Sequence, residues 1–175
     1  VSRTTTKNAE FGSDIFDRPV VPSGEAMGIY MKTDGVLVVD VCSFKNENGE
    51  SCCPADGKVC TGDYIVSVDG VEISKRSELL DIVAESKGES LSVKYIRDGE
   101  EKVCNITPEK NENGAYLLGA WVKDDVSGIG TVTFVDGTNF MALGHSVSDI
   151  DTGVMMRCST GGVYTTDITN ISKSY

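Results

Sequence analysis

The chain has a single histidine, His145, in the stretch FMALGHSVSDID (Phe140 to Asp151). Zinc sites of the usual Cys/His kind need clustered ligands. The six cysteines, Cys42, Cys52, Cys53, Cys60, Cys104 and Cys158, contain no paired Cys-x-x-Cys motifs. Only Cys52, Cys53 and Cys60 are close together, and adjacent cysteines rarely share one tetrahedral ion. No metal and no cofactor is expected. The thiols are expected to be free or buried, with a disulfide more plausible if the protein is exported. Basic residues are also scarce, 16 Lys and Arg against 27 Asp and Glu, for a net charge of −11. That balance argues against nucleic acid, whose phosphates need clustered cations, and against docking on an anionic membrane. No apolar run approaches the roughly 20 residues that span a bilayer as a helix. No signal-peptide pattern is present. The opening VSRTTTKNAEFGSDIFDRP lacks a Met, so a mature or trimmed product is expected.

What is there suffices for a folded core. At 175 residues, 39% hydrophobic and 25% charged, the chain can form one domain or two small ones. Residues 1–21 are polar, lack periodicity and read as a leader or linker. GIYM (Gly28 to Met31) and GVLVVDV (Gly35 to Val41) are β-rich runs that a Thr-Asp-Gly turn is expected to join. DYIVSVDG ends in Asp69-Gly70, a hairpin signal, and Asp98-Gly99 stands between two alternating runs, LSVKYIR and KVCNITP. One helix is predicted from Ser77 to about Lys87. Ser77 is its expected cap, Glu78 and Asp81 suit its positive end, and Gly88 closes it. Leu79, Ile82 and Val83 share one face. PEKNENG (Pro108 to Gly114) is a polar break, and nothing after it reads as helical. A hairpin is expected across Asp136-Gly137-Thr138-Asn139. The fold class is thus α+β, mostly β, with domains at 22–108 and 117–175 and a linker at 109–116.

In the first domain, AMGIYM, GDYIVSVDGVEI (Gly62 to Ile73) and SELLDIVAESKG together resemble a PDZ domain of the bacterial protease-associated kind. The resemblance implies peptide binding by β-augmentation, in which an extended peptide joins the open edge of a strand and its side chains meet a helix. It assigns that groove to Met27, Gly28, Ile29, Met31, Leu79, Ile82 and Val83. Any one of these apolar residues can equally be core.

In the second domain, a Gly-rich strand, a tight hairpin and a return strand lead to His145. A histidine held at a strand end is a natural general base, since its ordinary pKa of about 6.5 lets it take and return a proton near neutrality. RPVVPSGEAMGIYMKTDGVLVVD, the PDZ unit, LGAWVKDDVSGIGTVTF and ALGHSVSDIDTG resemble, in that order, the stage IV sporulation protein B serine peptidases. The resemblance implies a PDZ domain joined to a chymotrypsin-like β-barrel endopeptidase, here its N-terminal part, with His145 as the catalytic base. It implies export to the space between forespore and mother cell, with membrane association through an N-terminal anchor outside this sequence. The implied partners are a peptide or protein substrate and, at the PDZ groove, the enzyme's own N-terminal segment or a membrane-bound regulatory protein. Cleavage of itself and of that protein would activate a late sigma factor. The family's Asp and Ser are expected far downstream of His145, and the sequence ends at Tyr175. Ser159, in CSTGG, begins too soon after His145 to sit on the facing wall of a cleft. The chain by itself is therefore expected to be a truncated or clipped, inactive portion. The alternative is a non-catalytic PDZ protein with a degenerate protease remnant.

Overall fold

The computed structural model describes residues 19–144, 147–149, 153 and 156–169. Among these residues the elements follow in the order β1 (Val21–Pro22), β2 (Ala26–Val41), β3 (Phe44–Lys45), β4 (Ser51–Cys52), β5 (Tyr64–Val68), β6 (Val71–Glu72), α1 (Arg76–Glu85), β7 (Leu91–Arg97), β8 (Glu100–Ile106), β9 (Glu109–Lys110), β10 (Tyr116–Leu117), β11 (Ala120–Thr131), β12 (Phe134–Asp136), β13 (Asn139–Met141) and β14 (Cys158–Thr165). The main sheet runs β11-β2-β5-β7-β8, with β14 also on β2 and β6 on β5. The protein is mostly β, with a single helix among the described residues.

The Asp-Gly signals behave as their chemistry requires. Asp98 (φ 54°) and Gly99 (φ 84°) turn β7 into β8 with Arg97 opposite Glu100. Asp69 (φ 49°) and Gly70 (φ 79°) do the same between β5 and β6. Two successive positive φ values match the strand twist, and Asp and Gly adopt them at low cost. Along β7, buried Leu91, Val93 and Tyr95 alternate with more open Ser92 and Lys94, the period of a strand with one covered face.

Three expectations are corrected. The Thr33-Asp34-Gly35 turn does not form, and β2 runs unbroken from Ala26 to Val41. Neighbouring strands satisfy the backbone there: Asp34 N donates to Arg157 O at 3.3 Å, and Val36 and Leu37 stand opposite Ile65 and Tyr64. Gly35 (φ 93°) serves a close approach, because a Cβ there would lie 2.7 Å from Ile65 O. The helix is capped differently as well. It starts at Arg76, and Lys75 is the N-cap. The Glu78 carboxylate accepts the amides of Ser74 (2.9 Å) and Lys75 (3.0 Å). These bonds hold the Glu78 carboxyl below its usual range. A carboxylate reaching back from the first turn serves orphan amides that Ser77, already inside the helix, cannot reach. Finally, the stretch read as a linker is a hairpin. β9 pairs with β10, and Asn111 Oδ1 accepts from Asn113 N and Ala115 N. Tyr116 then packs on the core.

The described chain divides into two compact units. One comprises residues 19–31, 127–144 and 160–169; the other comprises 32–126, 147–149, 153 and 156–159. β2, β11 and β14 each give residues to both units. Every buried hydrophobic side chain among the described residues belongs to the second unit. Its main cluster joins Val36, Val38, Ile65, Val68, Leu79, Val83, Val93 and Ile106. A smaller one joins Leu37, Tyr64 and Met156. The first unit holds the sheet β1-β12-β13. Its Val21, Ile129, Phe140, Leu143 and Tyr164 are exposed.

Candidate active site and peptide groove

The residues expected to line the peptide groove fall into two groups. Leu79 and Val83 are 2% and 3% exposed in the core of the second unit, with Ile82 half-buried against them. Met27, Gly28, Ile29 and Met31 belong to the first unit. Met27 and Ile29 reach over Gly130, and Met31 lies against Gly161. The Tyr164 ring fills the space that a Cβ on Gly28 would need.

In the second unit, the edge of β2 away from β5 is not open. It carries β11. Cys42 N donates to Gly119 O at 2.9 Å, and Thr33 Oγ1 donates to Asp124 O at 3.0 Å. The Asp124 carboxylate accepts Arg76 N, at the start of α1, at 2.8 Å. Ala120 and Val122 pack on the cluster that contains Leu79 and Val83, whereas Trp121 is 67% exposed. Thr33, Arg76 and Asp124 are thus joined beside Leu79 and Val83, and no motif singled them out. The only sequence signal was the alternation Ala120, Val122, Asp124.

The Gly-Asp pair of the PDZ signature is anchored by charge. Asp63 is 1% exposed and accepts Arg97 Nε at 2.8 Å and Nη2 at 2.7 Å. Cys60 N donates to the same carboxylate at 2.8 Å. This fork raises the Arg97 pKa further above its usual value.

The second candidate site is the peptidase segment. β12 and β13 form the expected hairpin, with Asp136 opposite Asn139. The chain is described through Gly144; His145 itself lies outside the described residues. Just beyond it, Asp149 is buried and pairs with Lys123 Nζ at 3.0 Å. Met156 N donates to Val147 O at 3.0 Å. Ser159 sits in β14, where its hydroxyl meets the carbonyls of Lys32 and Thr33, each at 3.3 Å. That is the geometry of a strand serine.

A concavity of about 830 Å³ is lined by Thr33, Ser67, Glu72, Lys94, Glu101 and Ser159 among others, and includes none of Met27, Gly28, Ile29, Met31, Leu79, Ile82 and Val83. Cys42, Cys52, Cys53, Cys60 and Cys104 carry free thiols. Burial raises the pKa of Cys52, Cys60 and Cys104, which keeps those thiols protonated. No cluster of three metal-ligating side chains occurs among the described residues.

Two family models match the chain. Residues 26–107 match the PDZ domain, and residues 114–175 match the SpoIVB peptidase S55. The likeness to the SpoIVB peptidase is confined to residues 114–175. The chain's order, PDZ then peptidase segment, is that of a PDZ-containing protease family. The Arabidopsis thaliana membrane metalloprotease ARASP, chloroplastic, is 33% identical over 97 residues, covering 53% of this chain and 20% of that protein. The chain thus spans about one fifth of that relative's length. Among solved structures, it is similar to PDZ domains of SdrC-like proteins from two Listeria species. For Listeria monocytogenes the identity is 22%, the coverage 51% of this chain and 87% of that one, and the TM-score 0.42. For Listeria innocua the values are 25%, 51%, 93% and 0.42.

Proposed function

We propose that this chain is the PDZ and N-terminal peptidase portion of a serine endopeptidase that signals in sporulation. The observation that carries this reading is the match of residues 114–175, with Gly144-His145 inside it, to the SpoIVB peptidase. In this reading His145 takes the proton of a serine hydroxyl as that oxygen attacks a peptide carbonyl. An acyl-enzyme forms, His145 returns the proton to the leaving amine, and an aspartate holds the imidazole in the right tautomer. In this reading that serine and aspartate lie far downstream of His145. The substrates are the protein itself and a membrane-bound regulatory partner, in the space between forespore and mother cell, and cleavage leads to activation of a late sigma factor. The PDZ domain, a module for extended peptides, controls this step.

In the full-length protein, His145→Ala should abolish self-processing, read by the size of the product. Unchanged processing would remove His145 from the mechanism. The 175-residue chain alone should show no labelling by a serine-directed phosphonate. Robust labelling would mean that the nucleophile lies within it.

A further inference from the structure

In β-augmentation, an added strand lies along a sheet edge, its backbone bonds to that edge and its alternate side chains enter pockets. Residues 119–126 of this chain meet each criterion within the second unit. Backbone oxygens of Gly119 and Asp124 accept from Cys42 N and the Thr33 hydroxyl on the β2 side. Ala120 and Val122 pack on the cluster containing Leu79 and Val83, while Trp121 between them faces out. The Asp124 carboxylate takes the amide of Arg76 at the first residue of α1, where the helix dipole favours an anion. The sequence that fills this position, GAWVKDDV, falls within the residues that match the peptidase model.

We infer that β11 is the PDZ domain's own ligand, bound in cis, and that the groove selects extended peptides of the pattern small aliphatic, any, aliphatic, any, acidic. A tethered segment acts at an effective concentration of about a millimolar or more. An external peptide of equal intrinsic affinity, offered at about a micromolar, is therefore outcompeted on the order of a thousandfold. An external peptide enters only as β11 leaves. Occupancy of the groove and placement of the peptidase strand become one equilibrium, since whatever binds the β11-free state shifts the population toward it. The inference rests on the PDZ reading of residues 26–107 and not on the chemistry proposed for His145.

The test uses the whole chain and a fluorescent octapeptide, Gly-Ala-Trp-Val-Lys-Asp-Asp-Val, followed by anisotropy. The wild-type protein should not bind it at micromolar concentration. Val122→Asp puts a charge against the apolar cluster and should expel β11, so that the peptide binds at least tenfold more tightly. Asp124→Ala, a milder change, should give a smaller gain in the same direction. Hydrogen exchange keeps the outcomes separate: the Cys42 amide should lose protection in both variants while β7 and β8 keep theirs. Wild type binding the peptide as tightly as the variants would overturn the inference. So would variants that release the Cys42 amide, retain β7 and β8 protection and still bind no peptide. Because the readout is binding, a negative result here is distinct from unchanged self-processing in His145→Ala.

Discussion

Arg97→Met tests what holds the Gly-Asp turn of the PDZ domain in place. The substitution keeps most of the apolar stem and removes the guanidinium. Asp63 would lose both charge-assisted bonds from Arg97, at 2.8 and 2.7 Å, and keep the bond from Cys60 N. Its carboxylate is 1% exposed, so water cannot replace the fork from the Asp63 side. Breaking a buried ion pair by removing one partner costs about 3–5 kcal/mol. The Arg97 side chain is 31% exposed, which lets some water into the vacated place. The lower figure therefore applies, about 3 kcal/mol, equivalent to roughly 10 °C in Tm for a chain of this size. Urea unfolding followed by circular dichroism, for wild type and variant at pH 7, measures the loss. A difference below about 1 kcal/mol, the range of exposed pairs, would refute this assignment. Arg97→Lys, which keeps the charge but not the fork, should fall between.

Other expectations follow from single contacts. Glu78→Gln should weaken the start of α1 at neutral pH. Its carboxyl is held below the usual range by the amides of Ser74 and Lys75, so its contribution is complete above the unfolded pKa and lost as pH falls through the lowered one. Hydrogen exchange of those two amides should rise at acidic pH in wild type and be already fast in the variant; slow exchange in the variant would discount the cap. Gly28→Ala should collide with the Tyr164 ring and loosen the first unit, read as faster proteolysis within residues 160–169. Tyr164→Ala should rescue it, and an unaltered digest in the single variant would mean that the two strands do not approach this closely in solution.

Much of the second unit was legible from local chemistry. Asp-Gly turns have a backbone preference that acts over two residues, so Asp69-Gly70 and Asp98-Gly99 declared their hairpins before any tertiary contact was known. The face of α1 was equally clear, because Leu79, Ile82 and Val83 repeat at the helical period. The cap was misplaced because two local solutions compete, a serine hydroxyl and a carboxylate one turn in, and only the observed geometry ranks them. The Thr33-Asp34-Gly35 turn failed for a longer-range reason. Asp34 and Thr33 find partners at Arg157 and Asp124, far away in the chain, while Val36 and Leu37 just beyond pair with β5, and those bonds outweigh a local turn signal.

Sequence patterns alone carried the mostly β fold, the PDZ-like order of residues 26–107, the likeness of residues 114–175 to a SpoIVB peptidase and the acidic charge. Motifs and periodicity are local, and they survive in one dimension. Tertiary structure alone decided which strand sits beside which. Nothing in GAWVKDDV announces that it lies along β2 with Asp124 on the first amide of α1. An alternating strand fits any edge that offers a covered face. The choice depends on how its carbonyls, its small side chains and one carboxylate meet residues some fifty to ninety positions away, Arg76 and Thr33 among them.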